Sequence, residues 1–230
     1  MTVYRFNTTP VRVGEHTGLR VPQGAVEASP SLRRASIENA LLFGGPLVRD
    51  ALQSCPLHGD RPHVLVDTKV TFLMDGWFPS IPGWHTDGIP RGDEKSPASS
   101  GVPDLNHQDR LSGVGASPLF HTVVLGGHSL PRFLANPMCL DLVHGQDREL
   151  YAEMSRLVEQ SGVLSEDDAL VSYQEGQWLT WDWWNIHSAT PSSGRGWRLL
   201  VRVTESSVPP CDQVFVRAQN QVYVPVEIGW

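Results

Sequence analysis

The run "WRLLVRVTE", Trp197 to Glu205, constrains this chain most. In an extended strand successive side chains point to opposite faces. Leu199, Val201 and Val203 then form one purely apolar face, while Arg198, Leu200 and Arg202 share the other. The apolar face suits packing against outer helices. The other face carries two guanidiniums inward on what should be a central strand, and buried charge is costly unless it is paired. Two readings follow. Either an anionic ligand lies inside the fold, or an internal Asp or Glu forms a structural ion pair with these arginines.

The rest of the chain agrees with short strands and long connections. Gly (21) and Pro (18) are frequent enough to break it repeatedly. Residues 1–30 read as short extended pieces. A helix is expected from Leu32 to Leu42 with Ser31 as its N-cap, and a second from Pro46 to Ser54, since Pro suits a first helical turn. "HVLVDTKVTFLM" (His63 to Met74) and "LFHTVVL" (Leu119 to Leu125) read as strands. Asp147 to Gln160 is the best helix, with Leu150, Met154 and Leu157 on one face. "ALVSYQ", "GQWLTWDWWNIHSA" and "WRLLVRVTE" complete a strand-rich last third, with turns at Glu175–Gly176 and at "PSSGRG". From about Gly88 to Pro118 no apolar period is visible. Such a stretch is an active-site lid or a surface insertion. The expected fold is mainly β, a double-stranded β-helix (jelly roll) with helices packed on the outside. A single domain spans 1–230, with 1–62 as N-terminal decoration, 63–205 as core and 88–118 as the lid loop.

Bulk composition narrows the partners. The net charge is −7 and there is no basic run, which argues against nucleic acid. No stretch approaches eighteen apolar residues, so no membrane span is expected. Cys55, Cys139 and Cys211 are far apart and form no CxxC, against both a disulfide framework and a thiolate zinc site. With no basic-then-apolar leader in "MTVYRFNTTP", the expected compartment is the cytoplasm.

Nine His and fourteen Asp would give about half of one His-x-Asp by chance in a chain this long, yet three occur. His58–Asp60 sits in a Pro/Gly turn and His107–Asp109 in polar sequence. His85–Asp87, in "PGWHTDGIP", follows a strand-like run and precedes the long loop. Two residues apart on an extended segment, both side chains reach the same side. His187, in "WNIHSATP" just before the turn into the Arg-bearing strand, can supply a third ligand. Two His and one carboxylate on one face of an octahedral ion leave three positions open, the arrangement of non-haem Fe(II) oxygenases.

His85-x-Asp87, then ninety-nine residues to His187, then ten to Arg198, resembles the pattern of the Fe(II)/2-oxoglutarate-dependent oxygenases, phytanoyl-CoA dioxygenase-like. The resemblance covers about Val64 to Glu205 and is closest in "YQEGQWLTWDWWNIHSATPSSGRGWRLLVRV". It implies a jelly-roll core, iron on His85, Asp87 and His187, and the remote carboxylate of 2-oxoglutarate on Arg198, whose planar fork suits a carboxylate. Thr71 and His121 are further candidates for the cosubstrate. Trp84, Arg91, Trp184 and Arg202 are candidates for a small-molecule substrate. The implied reaction uses O2 and hydroxylates a C–H bond with release of succinate and CO2. In halogenating members a small residue replaces the carboxylate, so Asp87 points to hydroxylation. A cupin-like non-redox metal enzyme or a metal-binding jelly-roll module would need no Arg198. A non-catalytic interaction domain would bind no stoichiometric metal.

Overall fold

The computed structural model describes residues 2–91, 102–209 and 215–217. The strands are β1 (Thr2–Phe6), β2 (Arg12–His16), β3 (Ser31–Arg33), β4 (Ala35–Ser36), β5 (His63–Leu73), β6 (Leu119–Leu125), β7 (Arg132–Phe133), β8 (Met138–Leu142), β9 (Gln177–Asp182), β10 (His187–Ser188), β11 (Gly196–Ser206) and β12 (Phe215–Arg217). The α-helices are α1 (Gln23–Glu27), α2 (Ile37–Phe43), α3 (Gly45–Gln53), α4 (Leu105–Gly113) and α5 (Leu150–Gln160). The architecture is mainly β. One six-stranded antiparallel sheet has the order β2-β9-β6-β11-β5-β4, and three two-stranded pairs accompany it.

The arginine-bearing strand β11 lies inside that sheet, paired along its length with β5 and on its other edge with β6. Its two faces behave as the alternation requires. Leu199, Val201 and Val203 are fully buried in a cluster with Val66 and Val70 of β5, Val123 and Leu125 of β6, and Leu47, Val48 and Ala51 of α3. The expectation of helices on the outside holds for this face. Leu199→Ala is expected to cost about 2–5 kcal/mol, because the cavity it leaves is walled by a sheet that cannot collapse into it. Chemical denaturation measures this directly.

The opposite face of the sheet meets a second apolar cluster. It holds Phe120, Leu179 and Trp181 from the sheet, Phe133 and Leu134 from the β7 region, and Leu150, Met154 and Val158 from α5. A smaller antiparallel patch lies on this side. His85 bridges His187, His187 pairs with Phe133, and Leu134 bridges Leu170.

Five local expectations are corrected. Residues 1–30 are not extended throughout, since α1 occupies Gln23–Glu27. Residues 31–36 are two short strands, and the helix begins only at Ile37 with Ser36 as its cap, accepting from the Asn39 N–H at 3.1 Å. Ser31 is engaged elsewhere: its hydroxyl accepts from the Val70 N–H, while the Leu32 N–H donates to the Thr68 hydroxyl. Tertiary pairing with β5 thus overrides local helix propensity. The segment "ALVSYQ" makes only the Leu170 bridge and so is not a strand. Glu175–Gly176 therefore forms a turn, but not a hairpin between two strands.

The expected loop over 88–118 contains α4, capped by Asp104 and packed through buried Leu105 and Gln108. Gln108 donates to the Trp183 carbonyl, and Ser112 accepts from the indole N–H groups of both Trp183 and Trp184. One short helix with two leucines has too little period to stand out in the sequence. Residues 92–101, where the rest of the lid expectation falls, lie outside the described residues.

Candidate metal centre

The three metal candidates meet. One ligand atom from each of His85, Asp87 and His187 lies within 4.8 Å of the others, the one such group among the described residues. Residues a hundred apart are brought together by two backbone hydrogen bonds, His85 N–H to His187 carbonyl at 3.0 Å and His187 N–H to His85 carbonyl at 2.9 Å. Both imidazoles are buried. Each Nδ1 faces a carbonyl, that of Gly83 at 3.0 Å for His85 and that of Asn185 at 3.1 Å for His187. A carbonyl only accepts, so each Nδ1 serves as the donor and each Nε2 is turned toward Asp87. This orientation is the one a metal-binding imidazole needs.

Nε2 of His85 lies 3.9 Å from Asp87 Oδ1, and Nε2 of His187 lies 3.6 Å from Asp87 Oδ2. Burial and the neighbouring His187 push the His85 pKa down to about 4, which keeps its ring neutral near pH 7. Burial acts to raise the Asp87 carboxyl, but His187, Arg202 and His85 outweigh it and hold the group well below the usual carboxylate range. The His85 ring and the Asp87 carboxylate are thus in the protonation state a cation requires. Phe133 stacks on the His187 ring at 5.1 Å and Trp181 meets it edge-on at 4.8 Å, fixing the ring from two sides. Directly after Asp87 the chain turns through Gly88 at φ +77°, where a Cβ would come within 2.9 Å of the Phe120 ring. Only glycine fits there.

These ligands open onto a cavity of about 320 Å³ between the sheet and the small antiparallel patch. Its sheet side includes Lys69, Thr122, Trp181, Arg198, Leu200 and Arg202. The two arginines have different surroundings. Arg202 donates from Nη1 to Asp87 Oδ2 at 2.7 Å and lies 3.6 Å from Asp67, so it is the internal ion pair that the sequence left open. It orients the Asp87 carboxylate.

Arg198 is only 2 % exposed, and its Nε donates to the Ser129 carbonyl at 2.8 Å. Among the described residues it has no carboxylate partner. Tyr173 lies near it, but burial pushes that phenol up, so it supplies no negative charge. Burial lowers the Arg198 pKa to about 10. Opposite Arg198 in the β5–β11 register is Thr71, whose Oγ1 is buried without a hydrogen-bond partner. A buried guanidinium and an orphaned hydroxyl are donors that could hold an anion.

The other candidates separate. His121 faces away from the cavity. On β6 it shares the parity of Val123 and Leu125, and it bonds Glu205 through Nε2 at 2.8 Å and Thr180 through Nδ1 at 2.9 Å. Trp84 is core, with its ring beneath the Arg132 guanidinium. Trp184 packs edge-on against Phe6. Arg91 is exposed and, like Trp84 and Trp184, is not among the residues lining the cavity. Lys69, Phe133 and Trp181 line it instead, and none was singled out as a site residue from sequence. For Lys69 a signal existed: Asp67, Lys69 and Thr71 alternate with Val66, Thr68 and Val70, as Arg198 and Arg202 alternate with valine and leucine on β11.

Compared with protein-family models, curated proteins and solved structures, the chain finds no match. Among the described residues no helix is long and apolar enough to cross a membrane.

Proposed function

We propose that this chain is an Fe(II)- and 2-oxoglutarate-dependent dioxygenase that hydroxylates a C–H bond of a small molecule. Its core would be a jelly roll, for which the large sheet facing a small antiparallel patch is the support. The observation that carries the proposal is Arg198. A buried guanidinium with no carboxylate partner among the described residues shares one cavity with a His, Asp, His set. A cupin-like metal enzyme gives no reason for that unpaired charge.

In this proposal His85, Asp87 and His187 would hold the iron. Arg198 and the Thr71 hydroxyl receive the remote carboxylate of the keto acid, which fixes its reach toward the metal. Bound iron, with 2-oxoglutarate and O2, supplies an oxidation that inserts one oxygen atom into the substrate C–H bond and leaves succinate and CO2. Arg202 keeps Asp87 ionised and aimed. Phe133 and Trp181 exclude water around His187 and prevent its ring from turning. Nothing in this chemistry calls for nucleic acid or a membrane surface.

Succinate formation tests the assignment. Protein loaded with Fe(II) and given 2-oxoglutarate in air is expected to form succinate slowly even without substrate, and Asp87→Ala is expected to form none above the level of free iron. Equal succinate from both proteins would contradict the proposal.

A further inference from the structure

Lys69 is the charged group of the cavity that the dioxygenase assignment does not use. On β5, Asp67, Lys69 and Thr71 share the cavity side, and the antiparallel register sets them against Arg202, Leu200 and Arg198 respectively. Charge is therefore sorted along the strand pair. At the metal end Asp67 and Asp87 flank Arg202. At the far end Thr71 and Arg198 form the seat assigned to the keto acid. Lys69 lies between, one pleat nearer the metal than Thr71.

An ammonium has three donors. One of them goes to the Pro79 carbonyl. Among the described residues no carboxylate pairs with Lys69. Burial and the nearby Arg198 push its pKa down to about 8, and an anion beside it would favour its charged form.

Counting charge points the same way. Imidazoles that ligate a metal are uncharged, so among the described residues the three cations Lys69, Arg198 and Arg202 exceed the two carboxylates Asp67 and Asp87 by one. A divalent metal and a dianionic keto acid offset each other. One positive charge then remains in a partly desolvated cavity, where an uncompensated charge is costly.

We infer that Lys69 is the counter-ion for a carboxylate on the substrate, which makes the substrate a small organic acid with one negative charge. Its apolar body has Ile81, Phe133 and Trp181 to lie against. Lys69 holds the acid group midway along the cavity, so the carbon to be oxidised lies toward His85, Asp87 and His187. The inference rests on the dioxygenase assignment, because it takes Arg198 to be occupied by the keto acid.

The test uses the intact protein with Fe(II) and 2-oxoglutarate under argon, titrated calorimetrically with acids and their amides: acetate with acetamide, hexanoate with hexanamide, phenylacetate with phenylacetamide. At least one acid is expected to bind about tenfold more tightly than its amide, the scale of a charge-assisted hydrogen bond. Lys69→Met should abolish that preference and leave 2-oxoglutarate binding within about threefold, and Lys69→Arg should keep the preference. The inference is overturned if no acid outbinds its amide, or if the preference survives Lys69→Met. It is also overturned if Lys69→Met weakens 2-oxoglutarate about tenfold, which would make Lys69 part of the keto-acid seat. Should 2-oxoglutarate fail to bind the wild type at all, the dioxygenase assignment falls. The same pairs titrated onto the metal-loaded protein then judge Lys69 alone: a Lys69-dependent acid preference upholds the carboxylate seat, and its absence overturns it.

Discussion

His187→Ala is expected to bind Fe(II) at least about a hundredfold more weakly than the wild type. Loss of a supporting residue behind a ligand already costs about 10–100-fold, and His187 is itself one of the three donors. The remaining pair, His85 and Asp87, cannot define one face of an octahedral ion. The backbone should hold, because alanine keeps the N–H and carbonyl that bridge His85. Anaerobic competition against a metal indicator gives the affinity, and circular dichroism checks the fold. A fall of less than about tenfold would mean that His187 is not a ligand.

Arg198→Met is expected to act in two opposite directions. Removing one partner of a buried charged hydrogen-bond pair costs about 2–5 kcal/mol, so 2-oxoglutarate should bind roughly thirtyfold to several thousandfold more weakly. The ligand-free protein should meanwhile melt at a higher temperature. Its Arg198 charge is buried at 2 % exposure with no carboxylate partner among the described residues, and the Ser129 carbonyl accepts from its Nε. A methionine of similar length removes that penalty and fills the space. An arginine kept for structure alone would show the reverse, with a lower melting temperature and unchanged keto-acid binding. Calorimetry and thermal melting on the same two proteins separate the cases.

Alternation on strands made much of the site legible. It placed Arg198, Leu200 and Arg202 on the cavity side of β11 and their apolar neighbours against α3. His85-x-Asp87 was legible as one of three such triplets and His187 by its place before the turn into β11, although the strand-like run expected before His85 is not formed, since β5 ends at Leu73. The same parity rule shows why His121 is misplaced: counting from Val123 and Leu125 puts it on the helix side. What alternation does not carry is pairing across the sheet. That Arg202 faces Asp67 while Arg198 faces Thr71 depends on the register of β5 against β11, and no single strand encodes it.

The helices divide likewise. α5 announces itself through a full apolar face. α4 does not, because Leu105 and Gln108 are held by contacts with Trp183, Trp184 and the chain around them. Ser31 could cap a helix in isolation, but in the folded chain its hydroxyl serves Val70. The tryptophans are hardest of all. Trp181 lines the cavity while Trp84, Trp178, Trp183 and Trp184 are core, and five indoles of the same polarity differ only in where the fold sends them.

The most direct measurement is the visible spectrum of the protein under argon as Fe(II) and then 2-oxoglutarate are added. A weak charge-transfer band is expected that appears only with the keto acid, is absent in His187→Ala and is reduced in Arg198→Met at the same concentrations. Tight, stoichiometric Fe(II) binding with no band at saturating 2-oxoglutarate would contradict the dioxygenase assignment, leaving a metal centre of another kind beside an arginine whose anion is not a keto acid.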